Sequence, residues 1–411
     1  MPIVALTGDM RPDTLNEAEA TLREGASRVS TLATTTALWV RTAPELAALA
    51  GRLGAEHQIA LDTEGDSLHH YPELLALLQL ARPSGEAWLV DPLALDDLAA
   101  LGPVFADPGR LVVLHAGDND LAHLKRRHGL AFASIFDTSI AARFLGVRGL
   151  GLDALLLERL GVTLPPSRQK DDWSARPLSP AQEAYAVADV LYLPALRASL
   201  VDELQRAGRL AWVEEECAAL AAQSVAERVP DPDGWSRLKG ASLLSPSSLA
   251  ALRELHELRE RLARAADRPP FKILGDDTLV RLAGALPADP EALAGVPGCT
   301  PRVIGRWGPA ILQAVGRAWV LGDAALPRAA RPPRPSVPGP VRRRIEALRQ
   351  WRAEASPRVG LEPGLLLPNR LIGAIAHAAP RDGDELARVD GVRRWRVAAL
   401  GAEILAALGP A

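Results

Sequence analysis

Ile59-Ala60-Leu61 runs directly into Asp62-Thr63-Glu64, an apolar strand pattern that ends in two carboxylates one residue apart. Side chains alternate across a strand, so Asp62 and Glu64 share a face. Another acidic residue, Asp120, follows the apolar run Leu111 to Leu114, and Asp189 lies four residues after Tyr185 in a helical stretch. Positions i and i+4 of a helix also share a face. Carboxylates gathered at strand ends repel one another unless a cation lies between them. All-oxygen ligation suits a hard ion, Mg²⁺ or Mn²⁺, better than zinc.

Two such ions about 3.5–4 Å apart activate water and stabilise a leaving oxygen in phosphodiester hydrolysis. Tyr185 and Asp189 fit that chemistry if their helix starts after Ser179-Pro180, with Ser179 as N-cap and Pro180 at the first helical position. A phenol with a pKa near ~10 is a poor base at neutral pH. Tyr185 is therefore assigned to orienting the nucleophile. Cys217 and Cys299 have no CxxC spacing and read as core thiols.

Three segments carry a family resemblance. Residues Ile59 to Glu64, the stretch Leu114-His115-Ala116-Gly117-Asp118-Asn119-Asp120-Leu121, and Tyr185-Ala186-Val187-Ala188-Asp189 are similar to the three motifs of the DEDD 3′-to-5′ exonucleases. Asp172-Trp173-Ser174-Ala175-Arg176-Pro177-Leu178 resembles the segment before the third motif in the ribonuclease D branch. Tyr four residues before Asp189 marks the tyrosine subtype; the histidine subtype would want His at 184, which is Ala. The resemblance implies that Asp62, Glu64 and Asp189 hold one divalent ion, and Asp62 with Asp120 a second near the departing 3′ oxygen. It also implies a ribonuclease H-like α/β fold, a mixed sheet flanked by helices.

Substrate contacts are expected at Thr63, His69, His115, Lys170 and Arg176. For Lys170 and Arg176 the competing role is pairing with Asp171 or Asp172; His115 suits fixing backbone at a strand end better than binding metal. Family members often carry an aromatic residue directly after the first-motif Glu, where this chain has Gly65; His69, His70 and Tyr71 follow soon after.

Beyond the long helix through Leu196 and Arg206 the pattern turns entirely helical. Leu249, Leu252, Leu255, Leu258 and Leu262 recur at three- and four-residue steps, and the region resembles an HRDC domain. A similar arrangement recurs around Ile345, Leu348 and Trp351, so the expected layout ends in two all-α HRDC bundles. The expected order is an extension at 1–35, an exonuclease domain at 36–207, a helical linker at 208–237, HRDC domains at 238–320 and 338–409, and a Pro/Arg-rich linker at 321–337 between them. Residues 325–411 hold 15 Arg against 8 Asp plus Glu, a net of +7 that leaves the rest of a −3 chain at −10. Arg342, Arg343, Arg344, Arg393, Arg394 and Arg396 are the candidate phosphate contacts of this basic tail, and Trp351 and Trp395 candidate base-stacking platforms.

No apolar run reaches membrane-spanning length and no secretory leader is evident, so a monomeric cytoplasmic enzyme is expected. The leading reading is a ribonuclease trimming the 3′ ends of structured RNA such as tRNA precursors. A DNA exonuclease in repair and a non-catalytic binding scaffold are the alternatives. Contacts to the 2′-hydroxyl separate RNA from DNA, and the sequence does not display them.

Overall fold

The computed structural model describes residues 37–226, 231–319 and 337–409. The expected N-terminal extension, and all but the last residue of the Pro/Arg-rich linker, lie outside them. Six strands form one sheet: β1 (Leu38–Val40), β2 (Gln58–Gly65), β3 (Leu75–Ala81), β4 (Ala87–Val90), β5 (Leu111–Leu114) and β6 (Ile135–Asp137). Their order is β1-β4-β3-β2-β5-β6, with β3 antiparallel to both β2 and β4 and the other pairs parallel. β2 is central, and Ile59, Ala60 and Leu61 are fully buried in it. All seven residues of β3 are buried, which requires cover on both faces of the sheet.

The longer helices of this domain are α1 (Ala43–Leu53), α2 (Asp118–His128), α3 (Thr138–Phe144), α4 (Leu152–Leu160), α5 (Pro180–Leu191), α6 (Leu193–Arg206) and α7 (Leu210–Ala222). Ser179 caps α5 through a reciprocal box with Gln182, and Pro180 occupies the first turn. α5 then lies across β2, β3 and β4, while α6 packs on β2 and β5. Together α5 and α6 make 27 residues that could cross a membrane by length and composition, yet 61% of their most apolar window is buried inside the protein. Packing against the sheet accounts for that apolarity. Between β4 and β5 the chain forms only a 3-10 turn at Ala99–Leu101 and a short helix at Gly102–Phe105. Pro103 sits in the first turn of that short helix, where its missing N–H costs nothing.

The first helical bundle holds α8 (Pro246–Ala266), α9 (Asp276–Ala285) and α10 (Pro301–Trp319) around its own core, with Leu249, Leu252 and Leu255 at its centre. The second holds α11 (Gly339–Val359), α12 (Asn369–Ala378) and α13 (Arg394–Leu408). A shared device shows the duplication: Arg259 on α8 donates to the Leu274 carbonyl, and Arg352 on α11 donates to the Leu367 carbonyl. Both carbonyls end a short helical turn at the same place in their bundle.

The two bundles attach differently. The second shares a continuous core with the sheet domain. Trp395 is buried, stacked on Trp212 of α7 at 4.7 Å between ring centroids, with Phe144 edge-on at 5.3 Å. Glu216 of α7 accepts from Arg396 at 2.7 Å, Arg393 at 3.2 Å and the Trp395 indole at 3.0 Å. Those partners hold its carboxyl below the usual range despite burial. The expected phosphate contacts Arg393 and Arg396 and the stacking platform Trp395 are thus consumed in docking. Arg396 is only 3% exposed and also donates to the Leu365 and Leu366 carbonyls, leaving no face for a phosphate. Truncating Glu216 would strand a buried guanidinium. We expect Glu216→Ala to lower unfolding free energy by about 3 kcal/mol, read as an earlier urea midpoint; a loss near zero would show the docking to be superficial.

Candidate active site

β2 delivers Asp62 and Glu64, and α5 delivers Asp189 about two and a half turns into the helix that crosses the same strand. One oxygen from each of these three carboxylates lies within 4.8 Å of the others. Glu64 and Asp189 are buried, and Asp62 is partly so. Asp120 joins them from the first turn of α2, because β5 runs parallel to β2 and releases the chain beside its carboxyl end.

The loop between β5 and α2 is fixed by a residue that motif reading missed. Asp137, at the end of β6 and 1% exposed, accepts from the backbone N–H groups of Ala116 and Gly117 and also caps α3 through Ser139 and Ile140. Gly117 is required there: a Cβ would stand 2.8 Å from the Leu114 side chain. The available signal was Asp137-Thr138-Ser139 before an apolar helical run, a capping pattern. The strand β6 that carries it has three residues, too few for periodicity to register.

The acids are strained by each other. Burial pushes Glu64 up to about 9, with Asp189, Asp120 and Asp171 adding like-charge repulsion, and burial lifts Asp189 to about 7. Asp62 is raised by burial and then by its acidic neighbours, and Asp120 by burial, against a hydrogen bond from Thr63. Tyr185 donates to Asp189, and burial beside these acids pushes the phenol upward, so it stays protonated. Every group that acts on Glu64 by charge is an acid. The donors are hard oxygens without an internal counter-charge, and the set fits a divalent cation.

The other expected site residues divide. The Thr63 hydroxyl is spent on Asp120, so it positions a carboxylate rather than substrate. Arg176 makes a two-toothed pair with Asp91 at 2.8 Å and donates to the Ala76, Trp173 and Ala175 carbonyls, so neither phosphate nor Asp171 or Asp172 holds it. His115 bonds Thr138 at 2.9 Å, fixing the strand end. His69 meets the Lys170 carbonyl, and the exposed Lys170 flanks the site. Arg344 donates to the Ala376 carbonyl, and Arg394 reaches Glu215 through its backbone and guanidinium, whereas Arg342 and Arg343 are exposed. Gly65 has a local cause: the pairing register shifts between Glu64 and Gly65, and a Cβ would meet the Glu73 carboxylate at 3.1 Å. Trp173, fully buried, backs Tyr185 at 6.0 Å. Cys217 is inert, its thiol pushed up to about 12 by burial.

Because the folded pKa of Glu64 is raised, the folded metal-free chain holds more protons than the unfolded one between about pH 4.5 and 9. Its contribution to stability is therefore fully present at low pH and falls as pH rises through that window. Glu64→Gln should flatten this decline and raise the alkaline Tm of the metal-free protein by about 2–4 °C or more. It should also weaken Mg²⁺ binding. A variant that melts lower than wild type at alkaline pH would refute the strain.

Comparison with known proteins agrees with this geometry. The 3′-5′ exonuclease family profile matches residues 37–205, and the HRDC domain profile matches 248–315 and 341–408. Ribonuclease D of Pseudomonas paraeruginosa is 32% identical over 372 residues, covering 90% of this chain and 97% of the relative. Ribonuclease D of Gluconacetobacter diazotrophicus is 34% identical over 387 residues, 88% and 96% of the two chains. The crystal structure of Escherichia coli RNase D, described as an exoribonuclease involved in structured RNA processing, superposes with a TM-score of 0.66 at 27% identity, over 91% of this chain and 99% of that one. With its acidic cluster set on a ribonuclease H-like sheet and two helical bundles behind it, the chain belongs to the ribonuclease D family of 3′-to-5′ exoribonucleases.

Proposed function

We infer that this exoribonuclease trims the 3′ ends of structured RNA such as tRNA precursors in the cytoplasm, as a monomer, releasing nucleoside 5′-monophosphates. The observation that carries the chemistry is the trio Asp62, Glu64 and Asp189, two of them buried, gathered within 4.8 Å with Asp120 beside it. Asp62, Glu64 and Asp189 would hold one divalent ion and Asp62 with Asp120 a second, Mg²⁺ or Mn²⁺. Bound there, such ions acidify water and neutralise charge on the phosphate and the leaving oxygen.

The chain's own groups do the rest. Asp189 fixes the Tyr185 hydroxyl, which remains protonated and serves to aim the attacking water rather than to take its proton. Thr63 anchors the Asp120 carboxylate with its hydroxyl. Asp137 keeps the loop before Asp120 from relaxing. The water oxygen bonds to phosphorus as the bond to the 3′ oxygen of the preceding nucleotide breaks, and that oxygen leaves as a hydroxyl. Among the expected phosphate contacts, Lys170, Arg342 and Arg343 remain exposed.

Purified protein with 5′-labelled RNA and DNA oligonucleotides and Mg²⁺ or Mn²⁺ tests the reading. Stepwise shortening of RNA should vanish with EDTA and fall at least about 10³-fold in Asp189→Ala, while Tyr185→Phe, which loses only alignment, should cost about 10²-fold in kcat. Preferential shortening of DNA would replace the RNA assignment, and binding without cleavage under either metal would remove catalysis altogether.

A further inference from the structure

A cleft of about 1480 Å³ lies between the catalytic domain and the first helical bundle. It exceeds the roughly 300–1,000 Å³ of ordinary small-molecule sites. One wall is the α2 face that carries Asn119, His123, Arg126 and Arg127; the other is the α8 face that carries His256, Glu257, Glu260, Arg261 and Arg264. Asp120, at the metal cluster, is the immediate neighbour of Asn119. Arg127 lies about 10 Å further along the same helix. The site carboxylates do not themselves line the cleft; its wall starts on α2 one residue from Asp120 and follows that helix away from it.

The loop that follows the metal-bearing strand spans the cleft. The His70 ring bonds Asp267 at 2.7 Å, the Tyr71 amide donates to the same carboxylate at 3.1 Å, and the Tyr71 hydroxyl donates to Glu260. Arg264 stacks over the Tyr71 ring at 5.8 Å. These contacts hold the bundle against the catalytic domain.

Acidic and basic residues both line the walls; Glu257 is exposed, while other charged groups there are already engaged. Glu260 is taken by Tyr71 and Asp231 by Arg237, and Arg126 donates to the Ala226 carbonyl. Arg127 and Arg261 are exposed, with no ion pair or hydrogen bond among the described residues. Phe271, in the short turn Pro270–Ile273, is 55% exposed and lines the same cleft. Unpaired guanidinium groups beside an exposed aromatic ring suit one ligand class, a single polynucleotide strand with anionic phosphates and stackable bases.

We propose that this cleft is the track for the single-stranded segment upstream of the scissile 3′ nucleotide, with Arg127 and Arg261 on its phosphates and Phe271 under a base. The proposal rests on the exonuclease reading and gives the first bundle a task distinct from the second, which is fused to the catalytic core.

The test measures binding of fluorescent RNA oligonucleotides of increasing length in EDTA across a salt series, for wild type, Arg127→Ala/Arg261→Ala and Phe271→Ala. All three side chains are exposed, and thermal melts check that the variants stay folded. Wild-type affinity should rise with length. The double variant should lose most of that gain, and its log K against log salt should be shallower by about 1.4, two phosphates at about 0.7 each. Phe271→Ala should bind about tenfold more weakly with the slope unchanged. Wild-type slope and affinity in all variants would overturn the track. Shortening of RNA by wild type with Mg²⁺, run in parallel, separates the two ideas: lost cleavage with intact length dependence defeats only the catalytic reading.

Discussion

Like-charge crowding in a desolvated place is the constraint around which the catalytic domain is built. Four carboxylates from β2, α2 and α5 meet where burial already disfavours their charge, and the metal-free fold holds Glu64 near 9 and Asp189 near 7. Such an arrangement lowers the stability of the empty protein and survives only because surrounding structure over-determines it. That surrounding structure is visible in Asp137, in the capped start of α5, in Trp173 behind Tyr185, and in the Arg176–Asp91 pair that fastens the segment before α5 to the sheet.

The helical bundles answer two different mechanical needs. The second is fastened by aromatic stacking and by a carboxylate surrounded by arginines, so it belongs energetically to the catalytic core. The first keeps its own core and touches the catalytic domain through the loop after β2. A basic tail therefore translates into free basic surface only in part, with Arg342 and Arg343 exposed and others engaged by the chain. Arg352, Arg358, Arg393 and Arg396 are bound to carbonyls or carboxylates of the chain itself, which net charge alone cannot reveal.

Much of this was legible in the sequence where local chemistry is strong. The apolar runs that became β2 and β5, the Ser179-Pro180 start of α5, and the leucine stripe of α8 follow from periodicity and capping. The acidic cluster was legible because strand and helix periods put its members on converging faces. What was not legible depends on partners distant in sequence. Arg176 finds Asp91 across 85 positions, Arg396 finds Glu216 across 180, and Asp137 acts from a strand three residues long. Gly65 likewise makes sense only once Glu73 is seen beside it.

In the metal-free site, protons stand in for a cation. Isothermal titration of Mn²⁺ into the metal-free protein near neutral pH, repeated in buffers of different ionisation enthalpy, counts the protons displaced on binding. Release of about one proton or more is expected, reduced in Glu64→Gln, where Asp62 and Asp189 remain raised. Binding with no proton release would contradict it, because the carboxylates would then already be ionised and the crowding would carry no strain.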